Sequence, residues 1–183
     1  MAGLFRRILW LALVWLALPA AAPAQQSPFD EREVKAVFLF NFVQFVDWPA
    51  SAFSSPEAPV VIGVLGSDPF GRLLDDVVEG EMVKGRPLVV ARFRRVEDIK
   101  ACHVLFISPS EMKSYERILT ALDAQPTLTV GETENFTTLG MIRFLTDRNR
   151  VRLEVNVEKA RAAGLTISSN LLRAARIVGA SRG

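Results

Sequence analysis

The chain has 183 residues, half of them hydrophobic, with 22 Lys and Arg, 20 Asp and Glu, one histidine and one cysteine. This length fits one domain with a substantial core, and the near-even charge balance gives no support for nucleic-acid binding. A single cysteine excludes an internal disulfide, and a single histidine without clustered carboxylates argues against a zinc site. We therefore expect no metal and no other cofactor.

The first 24 residues have the pattern of a secretory signal peptide. Arg6 and Arg7 precede an apolar run over residues 8–18, and Ala22-Pro23-Ala24 follows as an A-x-A cleavage site. The run is about half the roughly 20 residues that span a bilayer, so an uncleaved membrane anchor is the weaker alternative. We expect cleavage and export to the periplasm. The mature chain then begins near Gln25 and has no net charge, because the two arginines are removed.

Residues 25–183 alternate apolar strands with amphipathic helices, as one α/β domain does. Continuous apolar runs are typical of strands buried on both faces, and the predicted strands are 60–65, 88–93, 104–107 and 127–130. Residues 141–145 and 151–155 each alternate apolar and polar side chains, which predicts a β-hairpin. We expect a single-domain α/β sandwich, with a mostly parallel sheet flanked by helices and a C-terminal β-hairpin.

Capping residues and prolines place the helices between these strands. Asp30 begins a helix that Pro49 ends after Trp48, and Asn156 begins a short helix that ends at Gly164. The other predicted helix starts are Ser67 or Asp68 with Pro69, Ser108 with Pro109, and Ser168 or Ser169 for a terminal helix through Val178.

Two of these helix starts form a candidate ligand site. Parallel sheets bind ligands beyond the carboxyl ends of their strands, and free N–H groups at helix starts favour carboxylate or phosphate. The candidate residues are Ser67, Asp68, Ser108, Ser110 and, from the hairpin, Arg143. Helix capping is the simpler role of the loop residues, and an exposed cross-strand charge pair is the simpler role of Arg143.

Cys102 and His103 stand directly before the apolar strand 104–107. We expect a buried thiol and a structural histidine there, with a reactive thiol or histidine-based catalysis as the weaker alternatives. The chain has no well-placed acid–base pair, metal cluster or nucleophile motif. The sequence therefore predicts a protein that is not an enzyme.

Six segments of the mature chain form a distinctive ordered set. They are NFVQFVDWP (41–49), GVLGSDPF (63–70), CHVLFIS (102–108), GMIRF (140–144), RLEVN (152–156) and GLTISSNLL (164–172). In this order, behind a signal peptide, they resemble the YfiR family of bacterial periplasmic proteins. The resemblance implies a compact, dimeric α/β sandwich without catalytic activity. It also implies disulfides, which the lone cysteine of this chain cannot form internally.

The resemblance further implies a role in cyclic-di-GMP signalling. A YfiR protein inhibits a membrane-bound diguanylate cyclase from the periplasmic side until an outer-membrane lipoprotein sequesters it, and biofilm formation and motility lie downstream. Relatives occur beside sensor kinases or are fused to them. We therefore predict a periplasmic regulatory protein that inhibits a membrane-bound diguanylate cyclase. A periplasmic small-molecule binding protein and a sensor-kinase accessory subunit are the alternatives.

The predicted partners are the periplasmic region of that cyclase or of a sensor kinase, an outer-membrane lipoprotein, and a second copy of the chain. A docking surface for such partners should be apolar with charged residues at its rim. The predicted partner-facing residues come from the first and the last helix, and they are Phe40, Val43, Trp48, Leu171 and Leu172.

Overall fold

The structure is a computed structural model that describes residues 30–123 and 125–179. The predicted signal peptide and its cleavage site lie outside these residues. Within them, no helix combines the length and the hydropathy that crossing a membrane requires.

Helix α1, Glu31–Phe45, ends earlier than its sequence predicts. At its start the Asp30 carboxylate accepts a hydrogen bond from a first-turn backbone N–H over 3.0 Å, as the capping signal predicts. At its end Val46–Asp47 becomes strand β1 and pairs antiparallel with strand β9, Thr166–Ile167. The predicted end at Trp48 is wrong, because pairing with a distant strand draws the chain out of the helix before the proline is reached.

Eight strands form the main sheet. In chain order they are β2 (Val60–Leu65), β3 (Met82–Val83), β4 (Arg86–Phe93), β5 (Val104–Ile107), β6 (Leu128–Gly131), β7 (Ile142–Asp147), β8 (Arg150–Asn156) and β10 (Arg176–Val178). Across the sheet their order is β10-β8-β7-β6-β5-β2-β4-β3. Five of them, β4, β2, β5, β6 and β7, are mutually parallel, and β7 and β8 form the C-terminal hairpin. The predicted fold class is confirmed.

Helices cover both faces of this sheet. The remaining ones are α2 (Arg72–Val78), α3 (Tyr115–Leu122), α4 (Phe136–Leu139), α5 (Val157–Ala162) and α6 (Ser169–Arg173). On β5, Val104 and Phe106 join the larger core with α1, whereas Leu105 and Ile107 join a second core with α3. The strand is buried on both faces, which explains why its sequence is apolar without alternation.

The chain after α6 differs from the prediction. The predicted terminal helix through Val178 is wrong, because α6 ends at Arg173 and residues 176–178 form the edge strand β10, parallel to β8. The capping prediction succeeds at Asn156, whose side chain accepts from the Lys159 N–H over 3.1 Å.

The helix after β2 also starts later than predicted. Its N-cap is Gly71, so the predicted cap at Ser67 or Asp68 is wrong. The Asp68 carboxylate instead accepts a hydrogen bond from the Phe70 N–H over 2.7 Å, which makes a local turn ahead of the helix.

Candidate functional site

The loops that follow β2 and β5 meet at the carboxyl ends of the parallel strands. The Ser67 N–H donates to Ser110 Oγ over 3.0 Å, and the Ser110 N–H donates to Ser108 Oγ over 3.3 Å. Gly66 permits the contact, because its φ is +88° and a Cβ there would lie 2.5 Å from Ser110 Oγ. The structure thus brings together four of the predicted site residues, Ser67, Asp68, Ser108 and Ser110.

Arg92 neutralises the acidic side of these loops. Its Nε donates to Asp68 over 2.7 Å and its Nη2 donates to Asp75 over 2.6 Å. The hydrogen bond with Asp75 is the main reason that the pKa of Arg92 lies above its ordinary value, and the same bond lowers the pKa of Asp75. An anion bound at this edge would therefore compete with hydrogen bonds that the loops already make.

Arg143 lies apart from the loops, on β7, and β6 separates it from β5. Its Nη1 donates to Glu154 over 2.9 Å, and Arg176 lies 3.4 Å from the other oxygen of Glu154. The Glu154 side chain is only 9% exposed. We call Arg143, Glu154 and Arg176 the hairpin triad. It is more buried than the exposed charge pair that strand alternation predicts.

A second charged cluster, which the sequence reasoning missed, ties α1 to β6. Lys35 is buried and donates to Glu132, which follows β6, while Glu31 lies 2.6 Å from Lys35 Nζ. Burial alone would lower the pKa of Lys35, but the hydrogen bonds with Glu132 and Glu31 outweigh it and raise the pKa. The i,i+4 spacing of Glu31 and Lys35 was a visible signal, whereas Glu132 is distant in sequence. We call Glu31, Lys35 and Glu132 the helix triad.

The single histidine is a core residue. His103 is 2% exposed, and its Nδ1 accepts a hydrogen bond from the Val61 N–H over 3.0 Å. The Phe53 ring stacks on it at 4.5 Å between centroids, and the Arg86 guanidinium lies 3.9 Å from the Phe53 centroid. Burial is the main cause that lowers the pKa of His103, with a smaller contribution from the nearby positive charge of Arg86.

The neighbouring Cys102 is buried as well. It is 6% exposed, and its Sγ lies 3.1 Å from the Val104 carbonyl oxygen. Burial raises the pKa of the thiol to about 12. A thiol of this kind stays protonated at neutral pH and is a poor nucleophile.

The predicted partner-facing residues differ in their exposure. Val43 is 1% exposed and Leu171 is 5% exposed, so neither of them contributes to a surface, and this part of the prediction is corrected. Phe40, Trp48 and Leu172 are half-buried. The physical reason is that α1 packs against the sheet, α2 and α6 together, which explains its wide apolar surface.

A comparison with protein-family models gives a match over most of the chain. A family model described as YfiR/HmsC-like matches residues 32–176, which extend from the second residue of α1 to the first residue of β10. No curated protein matches the chain significantly. Across residues 30–123 and 125–179, no group of three or more His, Cys, Asp and Glu side chains is placed to hold a metal ion.

Proposed function

This chain belongs to the YfiR/HmsC-like family, and on that premise we propose that it inhibits a membrane-bound diguanylate cyclase from the periplasm. The family consists of periplasmic, non-catalytic regulators of cyclic-di-GMP signalling. The match over residues 32–176 is the observation that carries the proposal, because it covers the whole sheet up to the edge strand.

The surroundings of the polar residues support a binding role. The loops after β2 and β5, which we call the serine loops, are hydrogen-bonded to each other, and Asp68 accepts from Arg92. The buried charges Lys35 and Glu154 are paired within their triads, although Arg143 Nε is buried without a hydrogen-bond partner. The histidine and the cysteine are buried in the core. These groups are paired within the chain or enclosed in its core, which supports contact with another protein, rather than catalysis, as the function.

Inhibition requires that the protein prefer the inactive state of the cyclase. A ligand shifts a two-state equilibrium only by the difference between its affinities for the two states. A preference of about 3 kcal/mol changes the ratio of inactive to active enzyme by more than about a hundredfold. An outer-membrane lipoprotein that competes for the same surface would relieve the inhibition, and a second copy of the chain is a further candidate partner.

Deletion of the gene tests the proposal. We expect intracellular cyclic-di-GMP and surface attachment to rise, and expression of the full chain to restore both. The matched control is residues 25–183 expressed without the first 24, which should stay in the cytoplasm and restore neither. Unchanged cyclic-di-GMP in the deletion strain would overturn the cyclase proposal and favour a sensor kinase as partner, or delivery of a small molecule.

A further inference from the structure

The sheet has an incomplete edge beside the hairpin. Strand β10 pairs with β8 only at Glu154, Val155 and Asn156. Over residues 150–153, β8 pairs with β7 on one side, and no described strand pairs with it on the other. An unpaired stretch of strand offers backbone donors and acceptors to another chain.

The direction of these backbone groups follows from the hairpin register. The Asn156 N–H donates to the Met141 carbonyl over 2.8 Å, so this opposed pair is hydrogen-bonded. Hydrogen-bonded and non-bonded pairs alternate along an antiparallel ladder. Counting back from Asn156, the N–H and C=O of Val151 therefore point away from β7, toward the open side.

A groove of about 350 Å³ lies at this open edge. Its apolar residues are Leu145, Leu153, Ala174 and Ala175, and its charged residues are Arg152, Arg173, Arg176 and Asp147. Arg152 and Arg173 form no ion pair with any described residue, and Arg176 is 76% exposed. The groove thus combines an apolar lining with more guanidinium groups than carboxylates.

Acidic and basic residues are unevenly distributed along the chain, and the excess of basic residues lies in the part that forms the groove. Residues 30–139 contain 11 Lys and Arg and 17 Asp and Glu, whereas residues 140–179 contain eight and three. Net charges of −6 and +5 follow for the two parts. The groove belongs entirely to the basic part, which favours an acidic occupant.

We propose that the edge of β8 at Arg150–Leu153 binds an extended acidic segment of a partner protein as an added strand. The backbone of Val151 pairs with that segment, its alternate apolar side chains enter the groove, and Arg152 and Arg173 contact its carboxylates. The chain's own ends fit less well, since β10 runs toward the Asn156 end of β8 and residues 25–29 contain no acid. This inference rests on the proposed function as a regulatory binding protein.

Binding of a designed probe tests the site directly. The probe is a fluorescein-labelled peptide that alternates Glu and Val, compared by anisotropy with one that alternates Lys and Val. We expect the purified mature protein to bind the acidic peptide more tightly, and added salt to weaken that binding. The double variant R152E/R173E should lose at least about tenfold in affinity, because it replaces attraction by repulsion. The control R94E/K100E makes the same charge change at exposed residues outside the groove and should keep wild-type affinity.

A backbone variant separates strand addition from simple charge attraction. Val151→Pro removes an N–H that points away from β7, so the hairpin hydrogen bonds stay intact while the added strand loses a partner. We expect a loss of affinity comparable to that of the charge variant, with an unchanged circular dichroism spectrum. If Val151→Pro unfolds the chain, R152E/R173E alone decides.

Equal binding of the two peptides, or an unaffected R152E/R173E variant, would overturn the inference. Binding to phosphatidylglycerol vesicles that R152E/R173E abolishes and Val151→Pro does not would overturn it in favour of a membrane surface.

In the deletion strain, R152E/R173E should fail to restore low cyclic-di-GMP, whereas R94E/K100E should restore it. The opposite result is that cyclic-di-GMP rises on deletion and returns to the wild-type level when R152E/R173E is expressed. That result would contradict the groove as the binding site and leave the proposed function standing.

Discussion

The acidic part of the chain and its basic part hold a buried charge in opposite ways. In the helix triad the cation Lys35 lies between two carboxylates, whereas in the hairpin triad the carboxylate Glu154 lies between two guanidinium groups. The acidic part also holds the serine loops and Arg92, which are hydrogen-bonded internally. The basic part keeps Arg152 and Arg173 outside any ion pair with described residues. The net charges of −6 and +5 nearly cancel, and this balance conceals two parts that bury opposite charges.

The largest expected effect tests whether the two parts share one core. Phe144 belongs to the hairpin, is 1% exposed, and stacks on Phe42 of α1 at 5.9 Å between centroids. Phe144→Ala should lower the free energy of unfolding by about 3–5 kcal/mol in a single transition, as measured by urea denaturation. Leu139→Ala, at a side chain that is 45% exposed, is the control and should change it by less than about 1 kcal/mol. Two separate transitions in Phe144→Ala would show that the parts unfold independently.

The next effect sharpens the contrast between the triads. Lys35→Met and Glu154→Gln should each lower the free energy of unfolding by about 2–3 kcal/mol, since each leaves like charges together. The two losses should depend on pH differently. Protonation of one of two facing carboxylates removes their repulsion, so Lys35→Met should regain stability relative to wild type on acidification. Arginines stay charged, so Glu154→Gln should regain none between pH 7 and pH 10. Equal pH profiles for the two variants would contradict this account.

Local patterns predicted most of the acidic part. The apolar runs 60–65 and 104–107 coincide with β2 and β5, because a strand that is buried on both faces must be apolar throughout. The hairpin of the basic part was also predicted, since its two strands alternate apolar and polar residues. In the structure Arg148 and Asn149 make its turn with positive φ. For elements of this kind the information lies within a few neighbouring residues.

Pairing between distant residues could not be read in this way. Val46–Asp47 and Arg176–Val178 are short, and each is a strand only because a partner lies beside it. The same holds for the candidate sites. The serine loops follow two strands and were predicted to meet, whereas the helix triad needs Glu132 and the groove needs the α6–β10 connection beside the hairpin. Burial of Val43 and Leu171 depends in turn on where α6 packs.

Acidification should weaken the acidic part through its histidine. Burial lowers the pKa of His103 in the folded chain, while the unfolded value is the ordinary 6.5. Folding thus favours the neutral imidazole, and the contribution of His103 to the free energy of unfolding is complete above pH 6.5. This contribution is lost as the pH falls from 6.5 toward the lowered pKa, by at most about 1.4 kcal/mol per pH unit. His103→Gln should flatten the dependence of thermal stability on pH in that window, and a wild-type profile that is already flat between pH 6.5 and 5 would contradict the assignment.

The smallest expected effect concerns Cys102, which lies in the acidic part of the chain and away from the open edge of β8. Its Sγ faces Gly63, where an added Cβ would lie only 2.6 Å from the sulfur, so the site has no spare room. Because the pKa of the thiol is raised to about 12, native protein should react with a thiol reagent at pH 8 far more slowly than protein in urea. Cys102→Ala should cost about 1 kcal/mol of stability and should still restore low cyclic-di-GMP in the deletion strain. Rapid labelling of the native chain would contradict the buried thiol. A folded Cys102→Ala variant that no longer represses cyclic-di-GMP would show that the acidic part also contributes to function.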